Sequence, residues 1–343
     1  MPVSSYRTDV VIVGAGPVGL FAVFECGMLG MKCHVIDALE MAGGQCAALY
    51  PEKPIYDIPG SPALEAGTLI DRLCEQAAPF APTFHFGEQV TRLSEDGDGR
   101  WLVETLGRTG AGSETLISAR AVIIAAGNGA FGPNRPPLDG IEAYEGKSVH
   151  YLVRKRQDFT GLKVVIAGGG DSAVDWALAL VDIAAHIMVI HRRPKFRAAR
   201  ESAARLDALV KEGRIELVAP YQLSGLEGHN GQLSGVRVVN LDGVERTLPA
   251  DSMLAFFGLS MNLGPINEWG LELDHGLIRI NQATGATNRP GLFAAGDIAT
   301  YPGKLKLILT GFAEAAQAAH AIRPLIFPDD ILHFEYSTTK GVP

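Results

Sequence analysis

The stretch Asp9–Gly19, DVVIVGAGPVG, decides the fold. The apolar run Asp9–Val13 stops at a glycine, as a short buried strand does. Gly14-Ala15-Gly16-Pro17-Val18-Gly19 follows and opens a helical pattern from about Gly16 to Leu29. Lys32–Asp37 (KCHVID) reads as the next strand, which completes a βαβ unit. The same pattern returns later. Leu162–Ala167 (LKVVIA) is a strand, Gly168-Gly169-Gly170 a turn, Ser172–Asp182 a helix and His186–Arg192 a strand. Gly14 and Asp37 stand 23 residues apart, and so do Gly168 and His191. One G-x-G-x-x-G is a weak signal. Two, each after a strand and before a helix with equal spacing to the next strand end, are a strong one.

Outward from these units, Ala121–Gly127 (AVIIAAG) and Leu292–Asp297 (LFAAGD) read as further short buried strands ending in Ala-Gly. Gly129–Pro137 (GAFGPNRPP) and Gly258–Pro265 (GLSMNLGP) have hinge composition. The second unit therefore reads as an insertion in the first domain. The predicted fold is α/β, with two Rossmann-like dinucleotide-binding domains. Residues 1–130 and 267–343 form the outer, discontinuous one, and residues 131–266 the inserted one. A length of 343 residues suits two domains. At 47% hydrophobic and 20% charged, the chain has material for packed cores and does not read as disordered.

The two glycine motifs ask for different ligands. In both, the glycines let the backbone approach a pyrophosphate at a helix N-terminus, where N–H groups and the helix dipole favour an anion. Asp37 ends the strand after the first motif. A carboxylate there accepts from a ribose diol and repels a 2′-phosphate, which suits FAD or NAD and fits NADP poorly. The second motif, Gly168-Gly169-Gly170-Asp171-Ser172-Ala173, has Ala at its third position. His191-Arg192-Arg193 stands where Asp37 stood, and guanidinium groups there suit a 2′-phosphate by charge-assisted bonds. The first site thus suits FAD and the second NADPH.

Other chemistries lack residues to carry them. Net charge is −8, which speaks against nucleic-acid binding driven by overall charge. No apolar run reaches the roughly 18 residues a membrane helix needs, and the start of the chain has no secretion-signal pattern. Cys26, Cys33, Cys46 and Cys74 contain no C-x-x-C, and the nine histidines contain no H-E-x-x-H. No metal site and no nucleophile elbow is expected. A cytoplasmic protein, without membrane or nucleic-acid partner, is the expectation.

GGGDSAVDWA at 168–177, HRRPKFRA at 191–198 and the late GLFAAGD resemble the thioredoxin-reductase-like flavoproteins over nearly the whole chain. Thioredoxin reductases carry a C-x-x-C shortly before the second glycine motif. Here that region reads His150-Tyr151-Leu152-Val153-Arg154-Lys155-Arg156. Gly43-Gly44-Gln45-Cys46, Ala48-Leu49-Tyr50-Pro51-Glu52-Lys53, Tyr56-Asp57-Ile58-Pro59-Gly60, Ala126–Phe131, Gly296–Lys304 and the tail His333–Thr339 resemble one branch, the thioredoxin-reductase-like ferredoxin–NADP reductases.

That resemblance implies FAD contacts from Gly14, Gly16, Pro17, Gly19, Asp37, Gln45, Tyr50, Val90, Phe131, Asp297 and Thr338. It implies NADPH contacts from Gly168, Gly170, Asp171, Ser172, Arg192 and Arg193. Chemistry supports Asp297 as an acceptor from ribityl hydroxyls, Gln45 as donor and acceptor, and Tyr50 as a stacking ring. Outside the motif context, Tyr50 and Phe131 would read as ordinary core, and only the resemblance singles out Val90. No catalytic side chain is expected, because flavin N5 carries the hydride chemistry. Tyr50 and Tyr336 are the candidate stacking residues, with the tail after Phe327 covering the flavin. The implied activity couples hydride exchange with NADPH to one-electron exchange with ferredoxin, in a homodimer. Flavodoxin or quinone reduction on the same scaffold, or a flavin redox sensor that does not turn over, are the alternatives. Arg154-Lys155-Arg156 and Lys304 with Lys306 are candidate charges for docking an acidic ferredoxin.

Overall fold

Val10, Val11, Ile12 and Val13 are all buried, and alternate side chains enter different cores. Val10 and Ile12 meet Val18, Ala22 and Val23 of helix Pro17–Met28 and Ala315, Ala318 and Ala319 of helix Ile308–Ile326. Val11 and Val13 meet Leu93, Trp101, Val103 and Ile117. A strand covered on both faces has no use for polar alternation, which is why this run is continuously apolar. The computed structural model describes residues 4–107, 114–193, 195–330 and 341.

The chain divides into two units, one of residues up to Ala130 with those from Met261 onward, the other Phe131–Ser260. In the outer unit a five-stranded parallel sheet runs in the order Leu292–Ala294, Ala121–Ile124, Val10–Val13, Cys33–Asp37, Thr83–Phe86. Helix Ala66–Ala77 adds an apolar face of Leu69, Ile70 and Leu73, packed against Leu20 and Cys46. The other sheet face is covered by Ser4–Arg7, Glu114–Ala119, Trp101–Gly107 and Glu88–Glu95, a four-stranded sheet that is antiparallel apart from its Ser4–Arg7 edge. The sequence boundary at 267 moves to 261. Ile266 is 6% exposed and joins the outer core beside Leu263, so the apolar burial of this turn places it with the outer unit.

The inner unit repeats the plan. Its parallel sheet runs Val149–His150, Ser252–Phe256, Lys163–Gly168, His186–Ile190, Ile215–Val218. Helices Asp171–Leu180 and Arg200–Lys211 accompany it. Val165, Ala167, Met188 and Ile190 pack against Val236, Val238 and Leu248 of an antiparallel sheet, Gln222–His229, Gln232–Val239 and Glu245–Pro249. Both units are thus α/β sheets with a small antiparallel sheet on one face. The sequence reading contained the parallel cores but neither antiparallel layer. Among the described residues, no helix is long and apolar enough to cross a membrane.

Candidate functional site

At the end of strand Val10–Val13 the backbone turns through Gly14 at φ +108°, where a Cβ would collide with the Ala125 carbonyl. A Cβ on Gly19 would collide with Gly14 O. These two glycines serve packing. Gly16 is different, because a Cβ there would meet nothing within 4 Å. Gly16 caps helix Pro17–Met28 with no side-chain hydrogen bond to the helix start, and Pro17 occupies the first turn. The loop therefore presents an open backbone face at an uncapped helix N-terminus, the shape a pyrophosphate fits.

Asp37 closes the same loop. Its Oδ2 accepts from Ala15 N–H at 2.6 Å and its Oδ1 from Leu39 N–H at 2.8 Å. Burial raises its pKa above the ordinary value, and these two backbone bonds oppose the rise. The two bonds fix the carboxylate's direction and leave it further lone pairs to accept from a ribose diol.

Gly43 N–H donates to Ala15 O at 2.8 Å, which brings the start of helix Gly44–Leu49 onto the glycine loop. Gln45 and Cys46 lie on that helix, and Tyr50 ends it. The Cys46 thiol donates to Tyr50 Oη at 3.8 Å. Burial pushes both groups' pKa values up, and the charge of Asp297 pushes in the same direction on each. The fold thus brings Gln45, Tyr50 and Asp297, about 250 positions apart in the chain, to one half-buried place. These donor and acceptor types fit a flavin: an amide, a phenol ring and a carboxylate beside a pyrophosphate loop.

In the inner unit, a Cβ on Gly168 would stand 2.6 Å from Phe256 O, and one on Gly169 would collide with the His191 ring. Gly170 again opens on nothing within 4 Å and caps helix Asp171–Leu180 with no side-chain bond. The segment after the next strand folds back over this loop. Arg197 N–H donates to Gly169 O at 2.7 Å, and Ala199 N–H donates to Asp171 Oδ1 at 2.9 Å. His191 stacks on Phe196 with ring centroids 5.1 Å apart. Arg192, Arg193 and Arg197 are exposed. Burial lowers the His191 pKa, and the three arginine charges lower it further against a backbone bond that opposes them. Three guanidinium groups therefore share one region beside an open glycine loop.

Not every expected residue lands at a ligand face. Val90 is 5% exposed, beside a β-bulge on strand Glu88–Glu95, with its side chain in the core of Ile36 and Val103. Asp171 already holds the arginine segment through Ala199. Ser172 is exposed in the first helical turn. Lys304 is not a surface charge: its side chain is 5% exposed, because its ammonium turns inward to Glu314 and the Gly296 carbonyl. Tyr336 and Thr338 lie outside the described residues, as does the side chain of Phe131. Among the described residues, no group of His, Cys, Asp or Glu could hold a metal ion.

Two residues escaped the sequence reading. Arg197 sits four positions beyond Arg193 in the quoted HRRPKFRA. Glu314 lies on the Gly311, Ala315, Ala318 and Ile322 face of its helix, and an acid on an otherwise apolar stripe was the available signal.

A profile described as pyridine nucleotide-disulphide oxidoreductase matches residues 8–321. The ferredoxin–NADP reductase of Paramagnetospirillum magneticum is 64% identical over 340 residues, covering 99% of each chain. That of Rhodospirillum rubrum is 61% identical over 340 residues, covering 98% of this chain and 97% of its own. Among solved structures, Lactococcus lactis thioredoxin reductase matches with a TM-score of 0.76 at 25% identity, over 94% of this chain and 99% of its own.

Proposed function

The chain belongs to the pyridine nucleotide-disulphide oxidoreductase family, and from that premise we propose that it is an FAD-containing enzyme that exchanges hydride with NADPH and single electrons with ferredoxin. The observation that carries this reading is a contrast. Two glycine loops of one architecture, each with an open central glycine, carry opposite charge at the next strand end: Asp37 in one, Arg192 and Arg193 with Arg197 in the other.

In the outer unit, Gly14, Gly16, Pro17 and Gly19 shape the loop for the FAD pyrophosphate, and Asp37 accepts from the adenosine ribose. Gln45, Tyr50 and Asp297 serve the flavin end. Val90, Phe131, Tyr336 and Thr338 rest on the family resemblance. In the inner unit, Gly168 and Gly170 admit the NADPH pyrophosphate, with Ser172 in the first helical turn. Arg192, Arg193 and Arg197 take the 2′-phosphate, and Asp171 orients the segment that carries Arg197. When bound, FAD supplies the exchange between two-electron and one-electron chemistry, so the chain's own task is to bind, orient and tune.

The four cysteines are free thiols, and none forms a C-x-x-C. That favours a one-electron carrier over a disulfide substrate, unlike the thioredoxin reductase named above. In this reading the working form is a homodimer in the cytoplasm, where free thiols persist. Light scattering on the purified holoprotein reads the assembly. The deciding experiment is anaerobic turnover with NADPH against ferredoxin, flavodoxin, a quinone and a disulfide. The expected outcome is fastest reduction of ferredoxin. Fastest reduction of a quinone or a disulfide overturns the assignment.

A further inference from the structure

Gly296 directly precedes Asp297, and both of its backbone polar groups are held by one buried ion pair. Its N–H donates to Glu314 Oε2 at 2.8 Å, and its C=O accepts from Lys304 Nζ at 3.0 Å. Lys304 Nζ also pairs with Glu314 Oε1, to which Tyr301 Oη donates at 2.8 Å. The Glu314 and Lys304 side chains are 2% and 5% exposed. Burial beside Glu314 pushes the Tyr301 phenol up to about 12, so it remains a donor at neutral pH.

Such a pair is a poor way to stabilise a core. Desolvation of two charges offsets most of their attraction, and well-packed apolar residues would serve as well. An apolar pair could not, however, accept from the Gly296 N–H or add a second donor to its C=O, which also accepts from the Ala299 N–H. Gly296 is at φ +80°, and a Cβ on it would stand 3.2 Å from Val18 Cγ2, in the first turn of helix Pro17–Met28. Gly311, one turn before Glu314, is tighter still: a Cβ there would collide with Val18 Cγ2 and stand 3.2 Å from Gly296 Cα. The turn is thus pressed between the glycine-motif helix and helix Ile308–Ile326, and the ion pair fixes its rotation.

We propose that Glu314 and Lys304, assisted by Tyr301, are positioning residues for the flavin: by holding both ends of Gly296 they set the direction in which Asp297 presents its carboxylate. This rests on the reading of Asp297 as a flavin contact. The pair does not touch substrate. It acts through the two peptide groups that flank Gly296, and its removal changes flavin affinity and flavin electronics rather than the fold alone.

The test uses the full chain. Glu314→Gln with Lys304→Met removes the charges together, so neither is left buried alone, and the glutamine still accepts from Gly296. The expected result is about 10-fold weaker FAD binding, with a shifted flavin absorption band and midpoint potential, while affinity for 2′,5′-ADP at the inner unit is unchanged. Asp297→Ala alone should weaken FAD at least as much, and adding it to the double variant should bring little further loss, because the two act in series. If Asp297→Ala leaves FAD affinity and potential unchanged, the flavin-site reading itself fails. If Asp297→Ala acts but the double variant keeps the parent affinity, band and potential, or if the effects simply add, the positioning role is overturned. Tyr301→Phe covers the case where the double variant does not fold. It leaves the ion pair in place and should shift the band and potential in the same direction by less. No shift at all would count against the proposal.

Discussion

Single atoms separate the roles of the glycines. Gly19→Ala drives a Cβ into the Gly14 carbonyl, so both the fold of the outer unit and its FAD should be lost. Gly16→Ala adds a Cβ to open space at an ordinary φ of −70°, so the apoprotein should melt as the parent does while FAD affinity falls. Melting of the apo form beside fluorescence titration with FAD checks the pair. Equal FAD affinity in the Gly16 variant would remove the pyrophosphate from this loop. At the other site, replacing Arg192 and Arg193 with Ala should lower kcat/KM for NADPH on the order of 100-fold and leave NADH nearly unchanged, because only the former carries a 2′-phosphate. Arg197→Ala should act in the same direction by less. Equal losses for both nucleotides would refute the 2′-phosphate role.

Among the elements, the edge of the outer parallel sheet carries a feature that neither nucleotide explains. Strands Cys33–Asp37 and Thr83–Phe86 are joined by His34 Nδ1 and His85 Nε2, 2.9 Å apart, with the Tyr6 ring 5.3 Å from each. The bond needs one imidazole to donate and the other to accept, so a doubly protonated pair cannot form it. Burial holds both pKa values below the ordinary 6.5, and the nearby Glu88 carboxylate, 3.9 Å from His85, opposes this at His85. A base whose folded pKa is depressed stabilises the fold above its unfolded pKa, and that contribution is lost as pH falls through the folded value. The melting temperature should therefore drop as pH is lowered from 6.5, and the drop should be smaller in His85→Phe. The same pH slope in both proteins would show that the pair does not titrate with folding.

For the molecule as a whole, charge sets the problem of partner choice. A chain of net charge −8 that receives an acidic carrier needs a local basic face. Burial of Lys304 removes one candidate, which leaves exposed Lys306 on the outer unit and, on the inner unit, the Arg154-Lys155-Arg156 cluster with its exposed pair Arg154 and Lys155. Reversing both to Glu should slow ferredoxin association and flatten its dependence on ionic strength, with NADPH oxidation by an uncharged artificial acceptor unchanged. Stopped-flow mixing over a salt series measures both. An unaltered salt slope would place the docking face elsewhere.

Much of this was legible along the chain, and the reason is locality. A buried strand, a glycine turn, a helix and the charge at the next strand end lie within about 25 residues of one another, so period and composition determined both glycine-loop units and the opposite charges at their next strand ends. Asp37, Arg192 and Arg193 follow from that arithmetic. The antiparallel layers did not, because their strands pair short, weakly patterned segments whose register depends on the sheet beneath. Tertiary packing alone turned Lys304 from a surface charge into a buried one, tied Asp171 to Ala199 and placed the Val90 side chain in the core. It also brought Gln45, Tyr50 and Asp297 together and set an ion pair behind Gly296. Each of these depends on groups far apart in sequence meeting at contact distance, and a charge reads the same in sequence whether water or another charge faces it.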